Sequence, residues 1–330
     1  FDINNERTYT FNVPDAKIGG KLNITSAVMA QSYAESSFDL FVNGSKIGSQ
    51  IIQGVSTYTY GQKGWDAVDI FSATAPSEKM DVRMVYNLNN SGRSVGYLNY
   101  LITHVERMLA QTSKSVNFRN IESVKQPLST FIVSNASNNS MVWDITNALE
   151  PKVQEAQLVG NELKFGAVTA SIGQYVVFNK LEVTNPDFIE KISNQNIRSI
   201  TSAELLIVSH SAFLSEAERL AEFRRTHDGL DVKVVTTDQV YNEFSSGSVD
   251  FTAIRDFARH VYKQGGLKHL LLFGKGTYDL KDVFNKQLNI VPTYESINSL
   301  HPLLTYSSDD YFVLLEDDEG EWVETNAGDE

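Results

Sequence analysis

The chain has 330 residues, 28 basic against 41 acidic side chains, a net charge of −13 and no cysteine. That length exceeds what one core ordinarily serves, so about two domains are expected. A composition of 42% hydrophobic and 21% charged residues is globular. The negative charge argues against a nucleic-acid backbone or an anionic lipid surface as main partner. The missing cysteine excludes disulfides, Cys-ligated zinc and a thiol nucleophile within these residues.

The charge is uneven. Residues 309–330 hold ten carboxylates and no Lys or Arg, which leaves only −3 for residues 1–308. The chain opens at Phe1 without an initiator Met, a basic n-region or an apolar h-region, so no signal peptide is present here, and both ends read as boundaries of a processed fragment. No stretch approaches the roughly 18 consecutive apolar residues of a membrane-crossing helix.

In chain order, residues 8–13, 21–28 and 80–86 alternate apolar and polar side chains, the period of half-buried strands. Residues 38–42 run into Asn43-Gly44 and then 45–47, which predicts a type I′ hairpin, because both turn residues need φ > 0. Further strands are expected at 96–102, 129–133, 141–146 and 174–178. Many short strands joined by polar turns predict an all-β antiparallel sandwich or jelly-roll over residues 1–195.

The period then changes, with the boundary in the polar stretch between 185 and 203. Residues 204–208 form a short apolar run. Ser215 with Glu218 makes a capping-box pattern for a helix through Arg225, which Gly229 closes. Residues 231–235 predict the next strand. Asp250 caps a second helix with Phe251, Ile254, Phe257, Ala258 and Val261 on one face, Gly265-Gly266 ends it, and 268–273 is a third strand. Strand–helix–strand–helix–strand with short connections predicts a parallel sheet and an α/β domain over 196–330. Residues 288–291 and 311–315 are candidates for further strands.

Chemistry-bearing patterns are few. Residues 274–277 (Gly-Lys-Gly-Thr) follow a strand but lack the spacing of a phosphate-binding loop, so they read as a turn at the sheet edge. Six histidines (104, 210, 227, 260, 269 and 301) show no metal-ligand spacing. His210 and Asp279 fall just past apolar strands, at the carboxyl edge where open α/β sheets place sites. The Ser209–His210 pair nevertheless reads as an ordinary loop, and His260 and His269 as structural. Ser307-Ser-Asp-Asp310 offers oxygen ligands for calcium, but a strand-entry turn is the simpler account. The stretch 317–320 (Asp-Asp-Glu-Gly) lacks EF-hand spacing and reads as a solvated turn. Tyr58, Tyr60, Trp65 and Trp143 would suit a sugar-stacking platform, although strands favour aromatic residues for packing alone. No catalytic, cofactor-binding or metal-binding residue is assigned, and no cofactor is expected.

Several segments of the second half, LIVSH (206–210), FLSEAERL (213–220), VYNEFSSG (240–247), DFTAIRDF (250–257) and LLLFGKGTYD (270–279), resemble the opening of a gingipain-like cysteine peptidase domain. More narrowly they resemble the PorU-type sortases of the type IX secretion system, and PTYES (292–296) and SSDDYF (307–312) continue the likeness. GYLNY (96–100) and VWDIT (142–146) are similar to the β-rich region ahead of that domain.

The resemblance implies a caspase-like α/β/α fold whose catalytic pair is a His in a Gly-His-Gly turn and a Cys after the next strand. Such chemistry needs a thiolate, an imidazole to shuttle its proton and amides for the oxyanion. This sequence has neither the Cys nor the Gly-His-Gly turn, so no catalytic residue is carried over, and His210 does not take that role. The resemblance implies an amino-terminal fragment, inactive alone, of an outer-membrane cell-surface enzyme. That enzyme would remove the carboxy-terminal secretion signal of protein cargo and attach the cargo to lipopolysaccharide, alongside other type IX secretion components. The alternatives are a fragment of a secreted gingipain-like endopeptidase, or a non-catalytic adhesin or carbohydrate-binding sandwich.

Overall fold

Alternation of apolar and polar residues sets the first seven strands: β1 (Glu6–Asn12), β2 (Lys21–Ser32), β3 (Ser36–Val42), β4 (Ser45–Ile52), β5 (Trp65–Thr74), β6 (Lys79–Asn87) and β7 (Ser94–Val105). They appear in a computed structural model that describes residues 1–317 and 319, apart from 89–91, 190, 284–285 and 287–288. Two antiparallel sheets, ordered β1-β6-β3-β4 and β5-β2-β7, bury one face each. Leu22, Ile24 and Val28 of β2 meet Phe38 and Leu40 of β3 and Met80, Val82, Met84 and Tyr86 of β6 in one core. Phe38 packs on Tyr86 at 4.7 Å between ring centroids and takes the edge of Phe1 at 5.3 Å. The β3–β4 hairpin turns through Asn43 and Gly44 at φ 45° and 85°, the positive pair that a type I′ turn demands.

A second, smaller sandwich repeats the plan with β8 (Ser115–Phe118), β9 (Leu128–Val133), β10 (Ser140–Asp144), β11 (Lys152–Gln154), β12 (Gln157–Val159), β13 (Glu162–Val168) and β14 (Tyr175–Asn179). Its sheets run β11-β10-β14-β8 and β12-β13-β9. Aromatic rings replace bulk aliphatics in this core: Phe131 stacks on Phe165 at 5.1 Å, and Tyr175 closes on both at 5.3 and 5.2 Å. The β-rich region therefore holds two cores, where periodicity alone marks only a succession of strands.

Beyond it the chain alternates β15 (Leu205–Ser209), α1 (Leu214–Asp228), β16 (Val232–Thr236), α2 (Thr237–Phe244), α3 (Phe251–Gln264) and β17 (His269–Phe273). The three strands are parallel in the order β16-β15-β17. Both faces are covered, as parallel sheets require. Leu205 and Ile207 face Ala217 and Ala221 of α1, while Leu206 and Val208 face Val240 of α2 and Ile254, Phe257, Ala258 and Val261 of α3. Gly229 ends α1 at φ 70°, a left-handed cap that favours glycine, and the Asp250 carboxylate caps α3 by accepting from the Thr252 amide at 2.8 Å. A two-residue pair, β18 (Tyr294–Glu295) with β19 (Ser307–Ser308), follows. The chain divides into two compact units, Phe1–Tyr58 with Lys63–Ile189 and Thr59–Gln62 with Glu190–Glu330.

Three local expectations need correction. Residues 311–315 are not a strand: Asp310–Val313 is a 3-10 turn, because Tyr311, Phe312 and Leu315 all bury on one side, a spacing that suits a helical turn and not alternation. Residues 289–291 form no strand either, since the Ile290 and Val291 amides both donate to the Lys275 carbonyl, at 3.0 and 3.1 Å; Leu288 lies outside the described residues. Ser215 does not cap α1, which starts one residue earlier after a 3-10 turn at Ser211–Phe213. The capping box belongs instead to α2, where the Thr236 hydroxyl accepts from the Gln239 amide (3.2 Å) and the Gln239 side chain accepts from the Thr236 amide (2.9 Å). Strands β5, β8, β11, β12 and β13, the β18–β19 pair and helix α2 are elements beyond those predicted.

Candidate functional site

In the order β16-β15-β17 the chain leaves β15 toward one neighbour and returns on the other side. The carboxyl ends of β15 and β17 thus flank a topological switch point, where open α/β sheets bind ligands. A cleft of about 200 Å³ opens at the carboxyl end of β17, lined by Leu272 and the loop Gly274–Gly276, by Val291, Pro292 and Thr293, and by Ser307 and Asp309. Its lining includes Lys275, Asp309, Thr293 and Ser307, residue types that recognise polar groups by charge and hydrogen bonding.

The glycines shape this cleft by close approach and not by cradling phosphate. A Cβ on Gly274 would lie 2.7 Å from Val291 Cγ2, and one on Gly276 would lie 2.7 Å from the Thr293 amide nitrogen. The loop lies flat against 289–293, fastened by the two amide bonds to Lys275 and by the Thr277 amide donating to Asn289 Oδ1 at 3.2 Å. On the opposite wall, Ser308 Oγ donates to Asp310 Oδ2 (2.9 Å) and accepts from the Asp310 amide (3.1 Å), so this stretch is a hydrogen-bonded turn. Among the described residues, no group of three or more His, Asp or Glu side chains is placed to hold a metal ion.

The remaining sequence candidates disperse. The buried Ser209 hydroxyl donates to the His210 carbonyl at 3.1 Å, and His210 Nδ1 accepts from the Ala212 amide at 3.1 Å, capping the 3-10 turn. These two residues are therefore not a nucleophile and its base. His260 Nε2 donates to the Arg198 carbonyl at 2.8 Å, and His269 opens β17 opposite Leu205. Trp65 lies in the first sandwich and Trp143 in the second, packed edge-on against Phe178 at 5.3 Å, so they form no common platform. Of the acidic stretch 317–320, Asp318 and Gly320 lie outside the described residues. Asp317 pairs with Arg259 and with Lys263, the latter at 3.0 Å, and Glu316 accepts from the Tyr262 hydroxyl at 2.7 Å. Lys275 and the segment 291–293 are the cleft residues that sequence reasoning missed; their only signal is the glycine spacing, which marks a close approach without naming what approaches.

A three-layer α/β/α unit with its cleft at the carboxyl edge defines a class. Residues 198–329 match the family described as Peptidase family C25. The particular likeness is to the crystal structure of dimeric latent PorU from Porphyromonas gingivalis, with a TM-score of 0.81 at 23% identity, covering 96% of this chain and 32% of that one. The β-rich region followed by the start of an α/β domain is thus the PorU fold, and the chain spans about a third of the length of the solved protein. A search of curated proteins finds no match.

Proposed function

We propose that this chain is the part of a gingipain-like cysteine peptidase that lies ahead of its catalytic pair, and that the whole enzyme is a PorU-type sortase of type IX secretion. In this reading residues 1–195 are the β-rich region and 196–330 begin the peptidase domain. The enzyme removes the carboxy-terminal secretion signal of exported cargo at the outer-membrane surface and attaches the cargo to lipopolysaccharide. The observation that carries the proposal is that both sandwiches and the parallel sheet follow PorU together over 96% of the chain. No described helix is long and apolar enough to cross a membrane.

With no cysteine in its 330 residues, the chain has no thiol to attack a peptide carbonyl. The purified chain is therefore expected to leave fluorogenic peptides uncut. Deleting its gene in the source bacterium is expected to leave cargo unprocessed, with its carboxy-terminal signal still attached. Peptide turnover that His210→Ala abolishes would overturn the inactive reading, and normal cargo processing after deletion would overturn the sortase role. Peptidase family C25 is not defined by sortase activity, so a secreted endopeptidase is the second reading; unprocessed cargo in the deletion strain would set it aside.

A further inference from the structure

We infer that Arg255 is a positioning residue for the cleft wall that carries Ser307 and Asp309. This residue stands on α3, away from the cleft, and reaches the segment that follows the wall. Its Nε donates to the Leu314 carbonyl at 2.8 Å, and its guanidinium lies 5.2 Å from the centre of the Tyr311 ring. Tyr311 in turn stacks face to face on Tyr294 at 4.8 Å and meets the edge of Phe251 at 5.2 Å. The Tyr311 and Thr252 hydroxyls are 3.1 Å apart. Tyr294 is the register partner of Ser308 in the β18–β19 pair. The wall is therefore held from both sides by one ring stack, and Arg255 clamps that stack onto α3.

Arg259 and Lys263 lie further along the same helix and provide an internal control. They hold Asp317, whose side chain is 75% exposed, and in the chain the buried Phe312 and Leu315 come between Asp317 and the wall residue Asp309. Exposed pairs contribute little to stability and are screened by salt. Their loss loosens residues 316–317 and leaves the wall in place.

The test is hydrogen exchange on the full chain, comparing R255K with the double variant R259A/K263A. Lysine keeps the charge but loses the planar guanidinium and its Nε donor. A backbone bond to a charged donor is worth about 1.5 kcal/mol, or roughly tenfold. R255K is expected to speed exchange of the Phe312 amide, which donates to Asp309, and of the Ser296 amide, which donates to Tyr306, by about that factor. Amides of β15 should stay protected, and the double variant should leave both wall amides at their wild-type rates. Unchanged Phe312 exchange in R255K would overturn the assignment. So would equal acceleration in β15, which would make Arg255 a general stability residue, or a wall effect of the same size in the double variant.

That the wall faces the reacting centre rests on the peptidase reading. In the complete enzyme, R255K is then expected to raise KM for a peptide substrate while kcat holds, and a fall in kcat alone would contradict a positioning role. Exchange is measured without turnover, so a failed peptidase reading and a failed Arg255 assignment give different results.

Discussion

Glu243 shows how one side chain joins segments that are far apart in sequence. Its carboxylate accepts from the Ile197 amide at 2.8 Å, the Gln195 side chain at 2.9 Å and the Arg198 amide at 3.0 Å, fastening the stretch before β15 onto α2. Burial opposes ionisation of this group, but the three hydrogen bonds together outweigh it and hold the carboxyl below its ordinary value of 4.5. A depressed folded pKa contributes stability above the unfolded value, and that stability is lost as pH falls through the folded one. Stability of this unit is therefore expected to be level near neutrality and to decline below about pH 4.5. Glu243→Gln should remove part of the acid decline, the rest belonging to Glu204, Asp228 and Asp231, which are also depressed. Denaturant unfolding at a series of pH values checks this, and an acid limb identical to wild type would refute it. Nothing in the sequence marks Glu243, because its partners lie more than forty residues away.

At the scale of elements, the same cap pattern occurs twice and works once. Ser215 with Glu218 sits inside a helix whose entry is already formed by a preceding 3-10 turn, so its side chain has no free amides to serve. Thr236 with Gln239 follows a strand directly, where the first amides of α2 have no other partner. Thr236→Ala is expected to cost about 1 kcal/mol, read as faster amide exchange confined to α2; no change there would show that packing alone holds this eight-residue helix. Cap chemistry is legible locally, but which cap is used depends on how the chain arrives.

For the whole molecule, the hydrophobic clusters respect the division into two units. The clusters around Phe38 and Phe131 draw only on residues before 190, and those around Phe257 and Ala221 only on residues after it. Phe38→Ala and Phe257→Ala each empty a fully buried ring site, at a cost of about 3–5 kcal/mol. Each is expected to raise hydrogen exchange in its own unit and leave the other protected. Loss of protection in both units from either change would refute independent cores.

Composition and local pattern by themselves determined the antiparallel, strand-rich character of the first region and nine of its fourteen described strands, the Asn43-Gly44 turn, the Gly229 and Asp250 caps and the absence of thiol chemistry. Each of these depends on neighbours within a few residues, or on residue type alone. The tertiary structure alone decided that the strands make two sandwiches, that residues 310–313 turn instead of extending, and that Gly276 packs against Thr293. It alone brought Lys275 and Asp309 to one cleft. Those outcomes rest on contacts between segments distant in sequence, where burial and hydrogen bonding override local preference. The missing cysteine and the uneven charge came from composition, but only the fold showed that Arg259 and Lys263 receive part of the acidic stretch.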